Sequence, residues 1–146
     1  MSNIFVKKEM ILDNKPEDGI MVINVNAQGI LEMDRIGRRL VNEFPEIELQ
    51  YRAACHQGTL GLGQMRFFEV DRYRILLICT AHHIVGSIKD YPEVIEHTTN
   101  KIIDAIAEKY KNFKFTSGIL NRGIANWAST HKRIKELELN WQIFIE

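Results

Sequence analysis

Two adjacent histidines follow a strongly apolar run and are the residues best suited to proton transfer. The run RILLICT at 74–80 leads through Ala81 to His82 and His83. An imidazole titrates near neutral pH and can therefore act as a general acid or base. Adjacent residues of an extended chain point to opposite sides, so at most one of the two histidines faces a ligand and the pair does not form a metal site. A structural or surface role for both is the alternative.

Small, amide and hydroxyl residues follow this and two other apolar runs. Backbone N–H groups at a strand-to-helix junction can bind an anion with help from the helix dipole, so these residues predict a phosphate or pyrophosphate site. The candidates at the first junction are Asn24 and Asn26, which close the strand IMVINV, and Gly29 in the loop after it. The others are Thr80 in the run above, Ser117 and Gly118 at the end of NFKFTSGI, and Asn121 and Gly123 after it. Neither GxxxxGK[ST] nor GxGxxG is present, and ordinary loop glycines and capping asparagines are the alternative.

Charged residues near these junctions complete the set of candidates. Glu9, at the end of the first predicted strand, is placed to accept a hydrogen bond from an exocyclic amine or to remain solvated. Asp34 and Arg35 stand where a helix is expected to begin, and Arg35 can either hold an anion near the first loop or solvate the helix face. His56, His97 and His131 lie in predicted helices without metal-ligand spacing, so no metal site is expected.

The elements that must position these residues alternate between strands and helices. Apolar runs predict strands at 4–8, 20–25, 74–80, 112–119 and 140–146. Apolar residues at helical spacing predict helices at 34–44, from Pro45 to about Gly58, at 92–110 and at 125–139. The pattern predicts an α/β fold, namely a three-layer α/β/α sandwich with a mixed, largely parallel central sheet.

This fold brings the candidate residues to one edge of the sheet. In open α/β sheets, ligands bind beyond the carboxyl ends of the strands. The three junctions described above each follow a strand, so we expect them to meet there.

Composition restricts the class of protein. The chain has 146 residues, 19 basic and 19 acidic side chains and 45% apolar residues, which predicts a single globular domain over 1–146. The balanced charge argues against a protein whose main work is to bind nucleic acid phosphates or an acidic membrane. Cys55 and Cys79 lack CxxC spacing and are expected to be free thiols. The sequence contains no apolar run long enough to cross a membrane, so the cytoplasm is the expected compartment.

Several segments follow one another in an order that a known family shares. KKEMIL supplies Glu9, and INVNAQG supplies Asn24, Asn26 and Gly29. The most specific segment, FPEIELQYRAACHQGTLGLGQ, supplies Phe44, Pro45, Tyr51, Cys55, Gly58, Leu60 and Gly63. ILLICT and FTSGILNRGIANW follow, the latter ending at Trp127. This order resembles the macrodomain family, in particular its compact single-domain branch associated with ADP-ribosyl hydrolases and ADP-ribose phosphate processing.

The resemblance implies that the protein binds ADP-ribose or a related nucleotide derivative at the strand ends, with an ADP-ribosylated macromolecule as a further candidate ligand. In that site Asn26 would orient the distal ribose or a water, and His82 or His83 would transfer a proton. No cofactor and no membrane partner is implied. Nucleic acid enters this interpretation only as a modified substrate.

The chain also departs from the family pattern. Glu32, Met33, Asp34 and Arg35 stand in a loop where the family carries glycines that let the backbone approach a pyrophosphate. The lysine that follows the threonine in the hydrolase subgroup is replaced by Ala81, and the aspartate of the second loop has no counterpart near Asn121 and Gly123.

Three functions therefore stay open at the level of sequence. The first is an enzyme that hydrolyses an ADP-ribosyl or ADP-ribose phosphate bond. The second is a module that sequesters a nucleotide signal without turning it over. The third is a protein-interaction domain that has lost its binding cleft and presents the altered first loop to a partner.

Overall fold

The computed structural model describes residues 3–7, 11–16, 18–31, 35–81, 91–121 and 125–145. Its strands are β1 (Asn3–Lys7), β2 (Gly19–Asn26), β3 (Met65–Val70), β4 (Tyr73–Ala81), β5 (Lys114–Ser117) and β6 (Asn140–Phe144). Its helices are α1 (Arg35–Glu43), α2 (Pro45–Gln57), α3 (Pro92–Tyr110) and α4 (Trp127–Glu136), with a short 3-10 helix at Ile11–Asp13. The predicted alternation of strands and helices is confirmed.

The six strands form one mixed sheet in the order β1-β6-β5-β2-β4-β3. All neighbouring strands are parallel except β3, which pairs antiparallel with β4 at the edge of the sheet. β2 and β4 are almost entirely buried, as their continuous apolar sequences predicted for strands covered on both faces. The predicted largely parallel sheet is confirmed.

Helices cover both faces of the sheet. Leu40 of α1 and Ile47 of α2 pack in one apolar cluster with Met21, Ile23 and Val25 of β2. The helices α3 and α4 pack in a second cluster on the opposite face, together with Ile20 and Val22 of the same strand. Successive residues of β2 thus alternate between two cores, which is the three-layer α/β/α arrangement.

Three details differ from the predictions. The strand β3 has an exposed charged residue on each face, Arg66 and Glu69, and its mixed sequence MRFFEV gave no continuous apolar run. The strand predicted at 112–119 is confined to Lys114–Ser117 because the chain leaves the sheet at Gly118. In the helix predicted from apolar spacing at 92–110, the apolar Val94 is 45% exposed, whereas the polar Thr99 is buried among the isoleucines of α3.

Helix α2 begins and ends as the sequence indicated. Pro45 occupies the first turn, where its missing N–H costs nothing. Gly58 ends the helix in the left-handed conformation with φ of 75°, and its N–H donates to the carbonyl oxygens of Ala54 and Cys55. These two residues fix the length of the helix that lies under the first candidate loop.

Candidate functional site

A crevice opens where β2 and β5 separate. The two parallel strands pair only from Gly19 to Met21 on β2 and from Lys114 to Thr116 on β5. Beyond this point β2 continues toward α1 on one face of the sheet, while β5 leads to α4 on the other. Neighbouring parallel strands whose connections run to opposite faces define a topological switch point, the usual ligand position in open α/β sheets.

The crevice is lined mainly by apolar side chains and is narrow. Its space is about 270 Å³ when the open solvent at its mouth is included, but only about 10 Å³ where the centre of a water-sized sphere can lie. Its lining residues are Ile11, Val22, Ile23, Asn24, Ile36, Gly118, Ile119 and Leu120. Pockets for whole small molecules usually measure about 300–1,000 Å³. The crevice in this structure holds about one water molecule, so it would have to widen to take part of a nucleotide. Asn24 is the single polar side chain in this lining and is half-buried.

The loop after β2 is organised by the side chain of Asn26. Its Oδ1 accepts from the backbone N–H of Gln28 at 2.9 Å, and its Nδ2 donates to the carbonyl of Ile30 at 2.8 Å. Gly29 has φ of 81°, a conformation that side chains disfavour, and lets the chain turn between these bonds. Asn26 is only 2% exposed, so its amide holds the loop together from inside.

Helix α2 supports this loop from below. The hydroxyl of Tyr51 donates to the backbone carbonyl of Asn26 and lies 3.1 Å from Asn26 Oδ1. The thiol of Cys55 lies 3.9 Å from the same carbonyl. Burial, and to a smaller extent the neighbouring thiols of Cys55 and Cys79, raises the pKa of Tyr51 above its ordinary range. Burial also raises the pKa of Cys55, against hydrogen bonds with Tyr51 and the backbone of Gly29. Both groups are therefore neutral near pH 7 and act as structural supports.

At the end of β4, Thr80 and Ala81 are fully buried. The hydroxyl of Thr80 donates to Oδ1 of Asn121 at 2.6 Å. The carbonyl of Ala81 accepts from the N–H of Ala27 at 3.0 Å, which ties β4 to the loop after β2. These contacts place both residues behind the crevice as its support.

The loop after β5 is fixed through its first residues by buried contacts. Trp141 Nε1 donates to the hydroxyl of Ser117 at 2.8 Å. A Cβ atom on Gly118 would lie 2.9 Å from Cδ1 of Ile36, the flexible end of that side chain, so a larger residue here would displace Ile36. Asn121 ends the loop with φ of 58°, which asparagine tolerates better than most residues.

The structure brings together most of the predicted residues that it describes. Asn24, Asn26, Gly29, Thr80, Ser117, Gly118 and Asn121 all lie at the ends of β2, β4 and β5 or in the loops that follow. Arg35 is exposed at the first residue of α1 and does not line the crevice. Glu9, Asp34, His82, His83 and Gly123 lie outside the described residues, so their roles stay predictions.

Three supporting residues were not identified as site residues from the sequence. Tyr51 stood only in a family-like segment, and Thr99 and Trp141 stood in no candidate motif. Thr99 carried one usable signal, because a hydroxyl residue interrupts the apolar stripe of α3 between Ile95 and Ile102 and must find a buried partner. Trp141 gave no comparable signal in its apolar strand.

The described strand ends and loops at this edge carry no ionisable side chain that could transfer a proton. The segments 26–31, 80–81 and 117–121 contain no carboxylate, histidine, lysine or arginine. Within the described residues, no group of three or more His, Cys, Asp or Glu is arranged to hold a metal ion. None of the described helices is long and apolar enough to cross a membrane.

Comparisons with known proteins identify the fold. No protein-family model and no curated protein matches the sequence. Among solved structures, the macrodomain of Thermus aquaticus DarG matches all of both chains with a TM-score of 0.75 and 16% identity. The macrodomain of Mycobacterium tuberculosis DarG matches all of this chain and 99% of its own, with a TM-score of 0.74 and 18% identity. Thermosipho africanus DarTG, solved in complex with ADP-ribose, matches the whole chain with 42% of its own length, a TM-score of 0.79 and 17% identity. The protein therefore has the macrodomain fold, in a divergent sequence.

Proposed function

We propose that the protein binds ADP-ribose, or a related nucleotide diphosphate derivative, in the crevice between β2 and β5. The observation that carries the proposal is the separation of these strands after Met21 and Thr116, which opens a site at the switch point of the sheet. The similar structure of Thermosipho africanus DarTG, in complex with ADP-ribose, names the ligand class to test first.

Backbone donors beside the crevice support recognition of a pyrophosphate. Within the described part of the chain, the N–H groups of Ile119 and Leu120 have no hydrogen-bond partner. Leu120 is buried and Ile119 is half-buried. Successive backbone N–H groups without an acceptor can bind an anion, so a phosphate oxygen would satisfy them. The apolar lining contains no carboxylate that would repel the ligand. We therefore place the pyrophosphate at the loop after β5.

Binding without turnover is the form of this proposal that the described residues favour. The strand-end segments supply no ionisable group, and Ala81 stands where the hydrolase subgroup carries lysine. The amide of Asn26 holds the loop through Gln28 and Ile30. Proton transfer would thus need His82 or His83, which follow the described end of β4.

A calorimetric titration with ADP-ribose tests binding, with ADP and ribose 5-phosphate as partial ligands. We expect a dissociation constant in the micromolar range, about −8 kcal/mol, and weaker binding of each fragment. Chromatography of the recovered ligand reports whether ADP-ribose remains intact. Absence of heat and of thermal protection at millimolar ADP-ribose would overturn the proposal.

Hydrolysis is the second candidate function, because His82 and His83 follow a strand that ends at this site. ADP-ribosylated protein, ADP-ribosylated nucleic acid and ADP-ribose phosphate are the substrates to offer. If turnover occurs, the double substitution His82→Ala with His83→Ala should abolish it and leave ADP-ribose affinity within about threefold, a difference below 1 kcal/mol. Turnover that persists in this variant would exclude the histidines as proton-transfer groups.

The protein-interaction alternative has less support. It relied on Glu32, Met33 and Arg35 filling the crevice, and Arg35, the one of them that the structure describes, is exposed at the start of α1.

A further inference from the structure

The loop from Ser117 to Asn121, here called the β5 loop, is held at both of its ends by buried side chains. Trp141 Nε1 donates to Ser117 Oγ at the first end. At the second end, Asn121 accepts a hydrogen bond at Oδ1 and donates one from Nδ2. Between these points Gly118, Ile119 and Leu120 line the crevice. The position of the loop thus depends on residues that do not touch the crevice.

The second end belongs to a directed chain of hydrogen bonds across three elements. Thr80 Oγ1 on β4 donates to Asn121 Oδ1 at 2.6 Å. Asn121 Nδ2 donates to Thr99 Oγ1 on α3 at 2.7 Å. Thr99 in turn donates to the carbonyl of Ile95 one helical turn earlier, also at 2.7 Å. All three side chains are buried, so no water competes for these bonds and the loss of one group leaves a buried polar atom unpaired.

Thr99 is an unusual residue for its position. The rest of the buried stripe of α3 is apolar, namely Ile95, Ile102, Ile103 and Ile106. An isosteric valine would fill the same space without a hydroxyl that must be satisfied. The hydroxyl is explained by Asn121, whose positive φ needs a fixed side chain to hold the turn at the end of the β5 loop.

We propose that Thr99 is a positioning residue of the binding site, acting through Asn121 to hold the N–H groups of Ile119 and Leu120 in place for the ligand. This inference rests on the proposed function for the ligand itself. The hydroxyl of Thr99 presents a lone pair to Asn121 Nδ2 and fixes the amide orientation, which in turn presents Oδ1 to Thr80. The site is therefore supported from the middle of α3 on the opposite face from α1.

Two substitutions at Thr99 test the proposal against a matched control. Thr99→Val keeps the volume and removes the hydroxyl, whereas Thr99→Ser keeps the hydroxyl and removes a methyl group. Thr130→Val makes the same change at a buried threonine of α4 that takes no part in the hydrogen bonds joining Thr80, Asn121 and Thr99. Amide hydrogen exchange of residues 117–121 in the free protein reports the loop, and calorimetry reports ADP-ribose affinity.

We expect Thr99→Val to speed exchange in the β5 loop and to weaken ADP-ribose binding, each by about tenfold. Thr99→Ser should restore most of both, and Thr130→Val should change neither. A purely structural role would change global stability while leaving loop exchange and affinity equal to those of the control, and that result would overturn the proposal.

The two proposals fail in different ways. If the unmodified protein binds no ADP-ribose, the proposed function fails and the exchange experiment alone decides whether Thr99 positions the loop. If the protein binds ADP-ribose and Thr99→Val neither loosens the loop nor weakens binding, the proposed function stands and the role of Thr99 is wrong.

Discussion

The hydroxyl of Tyr51 in α2 donates to the backbone carbonyl of Asn26 at the end of β2. This contact joins the helix layer on one face directly to the strand end that begins the first candidate loop. Because Asn26 in turn closes that loop through Gln28 and Ile30, one buried phenol supports the geometry of five successive residues. The loop is thus shaped by α2 as well as by its own sequence.

Removal of this hydroxyl should destabilise the protein and loosen the loop. Tyr51→Phe keeps the buried ring but leaves the carbonyl of Asn26 without its phenolic donor, at a cost of about 1–3 kcal/mol in the free energy of unfolding. Urea unfolding measures this loss. Tyr91→Phe is the matched control, because Tyr91 is 75% exposed and its variant should unfold as the original protein does. Equal stability of the two variants would contradict the role given to Tyr51.

The sequence predicted the layers of this fold because buried parallel strands and amphipathic helices have distinct patterns. Runs such as IMVINV at β2 and RILLICT at β4 are apolar on both faces, and the structure covers both faces. β3 escaped prediction because an edge strand is covered less completely than a central one, and exposed charged residues, Arg66 on one face and Glu69 on the other, break its apolar run.

The candidate site was predictable in position and less so in roles. Residues at the ends of β2, β4 and β5 do meet at one edge, because the carboxyl ends of parallel strands point to the same edge of the sheet. Thr80, Ser117 and Asn121 were predicted to bind ligand, and that role stays a prediction. In the structure their side chains have partners within the protein, namely Asn121, Trp141 and Thr99 respectively. Such long-range partners depend on tertiary packing, which residue spacing along the chain does not encode.

Alkaline pH should destabilise the protein through Cys55 and Tyr51. Burial raises the pKa of Cys55 above its ordinary value of 9.0, and the pKa of Tyr51 above 10.0. The unfolded chain therefore loses these protons at lower pH than the folded protein. The contribution of these two groups to the free energy of unfolding is constant below about pH 9 and falls as pH rises further. Urea unfolding between pH 7 and 10.5 measures the slope. Cys55→Ala should flatten it from about pH 9 and Tyr51→Phe from about pH 10, whereas unchanged slopes in both would disprove the assignment.

Acidic pH should act through Glu43 in α1. Burial alone would raise the pKa of Glu43. Hydrogen bonds from Lys15 at 2.7 Å and Arg39 at 2.9 Å lower the pKa by more than burial raises it, so the net shift is downward. The carboxylate therefore contributes stability above its unfolded pKa that is lost as pH falls through the folded value. Glu43→Gln should cost about 0.5–1 kcal/mol at pH 7 and little at pH 3. Glu108→Gln, at an exposed position of α3, is the control, and an equal loss at both pH values for Glu43→Gln would contradict the ion-pair explanation.

Gly118 should control access to the crevice through Ile36. An alanine Cβ at this position would lie 2.9 Å from Cδ1 of Ile36, the flexible end of a side chain that lines the crevice, and 3.7 Å from the nearest backbone atom. Ile36 can move aside at small cost to stability, but it then takes up space proposed for the ligand. Gly118→Ala should therefore weaken ADP-ribose binding about tenfold, or ~1.4 kcal/mol, with a much smaller change in unfolding free energy.

A second substitution separates this explanation from general damage to the fold. Ile36→Val shortens the displaced side chain, so Gly118→Ala combined with Ile36→Val should recover most of the lost affinity, a coupling that calorimetry measures as a double-mutant cycle. Gly61→Ala is the control, because its Cβ would meet only Gln64 Oε1 at an ordinary 3.5 Å and the site lies elsewhere. If the two substitutions weaken binding additively, Ile36 does not carry the effect of Gly118, and the explanation by displacement of Ile36 is wrong.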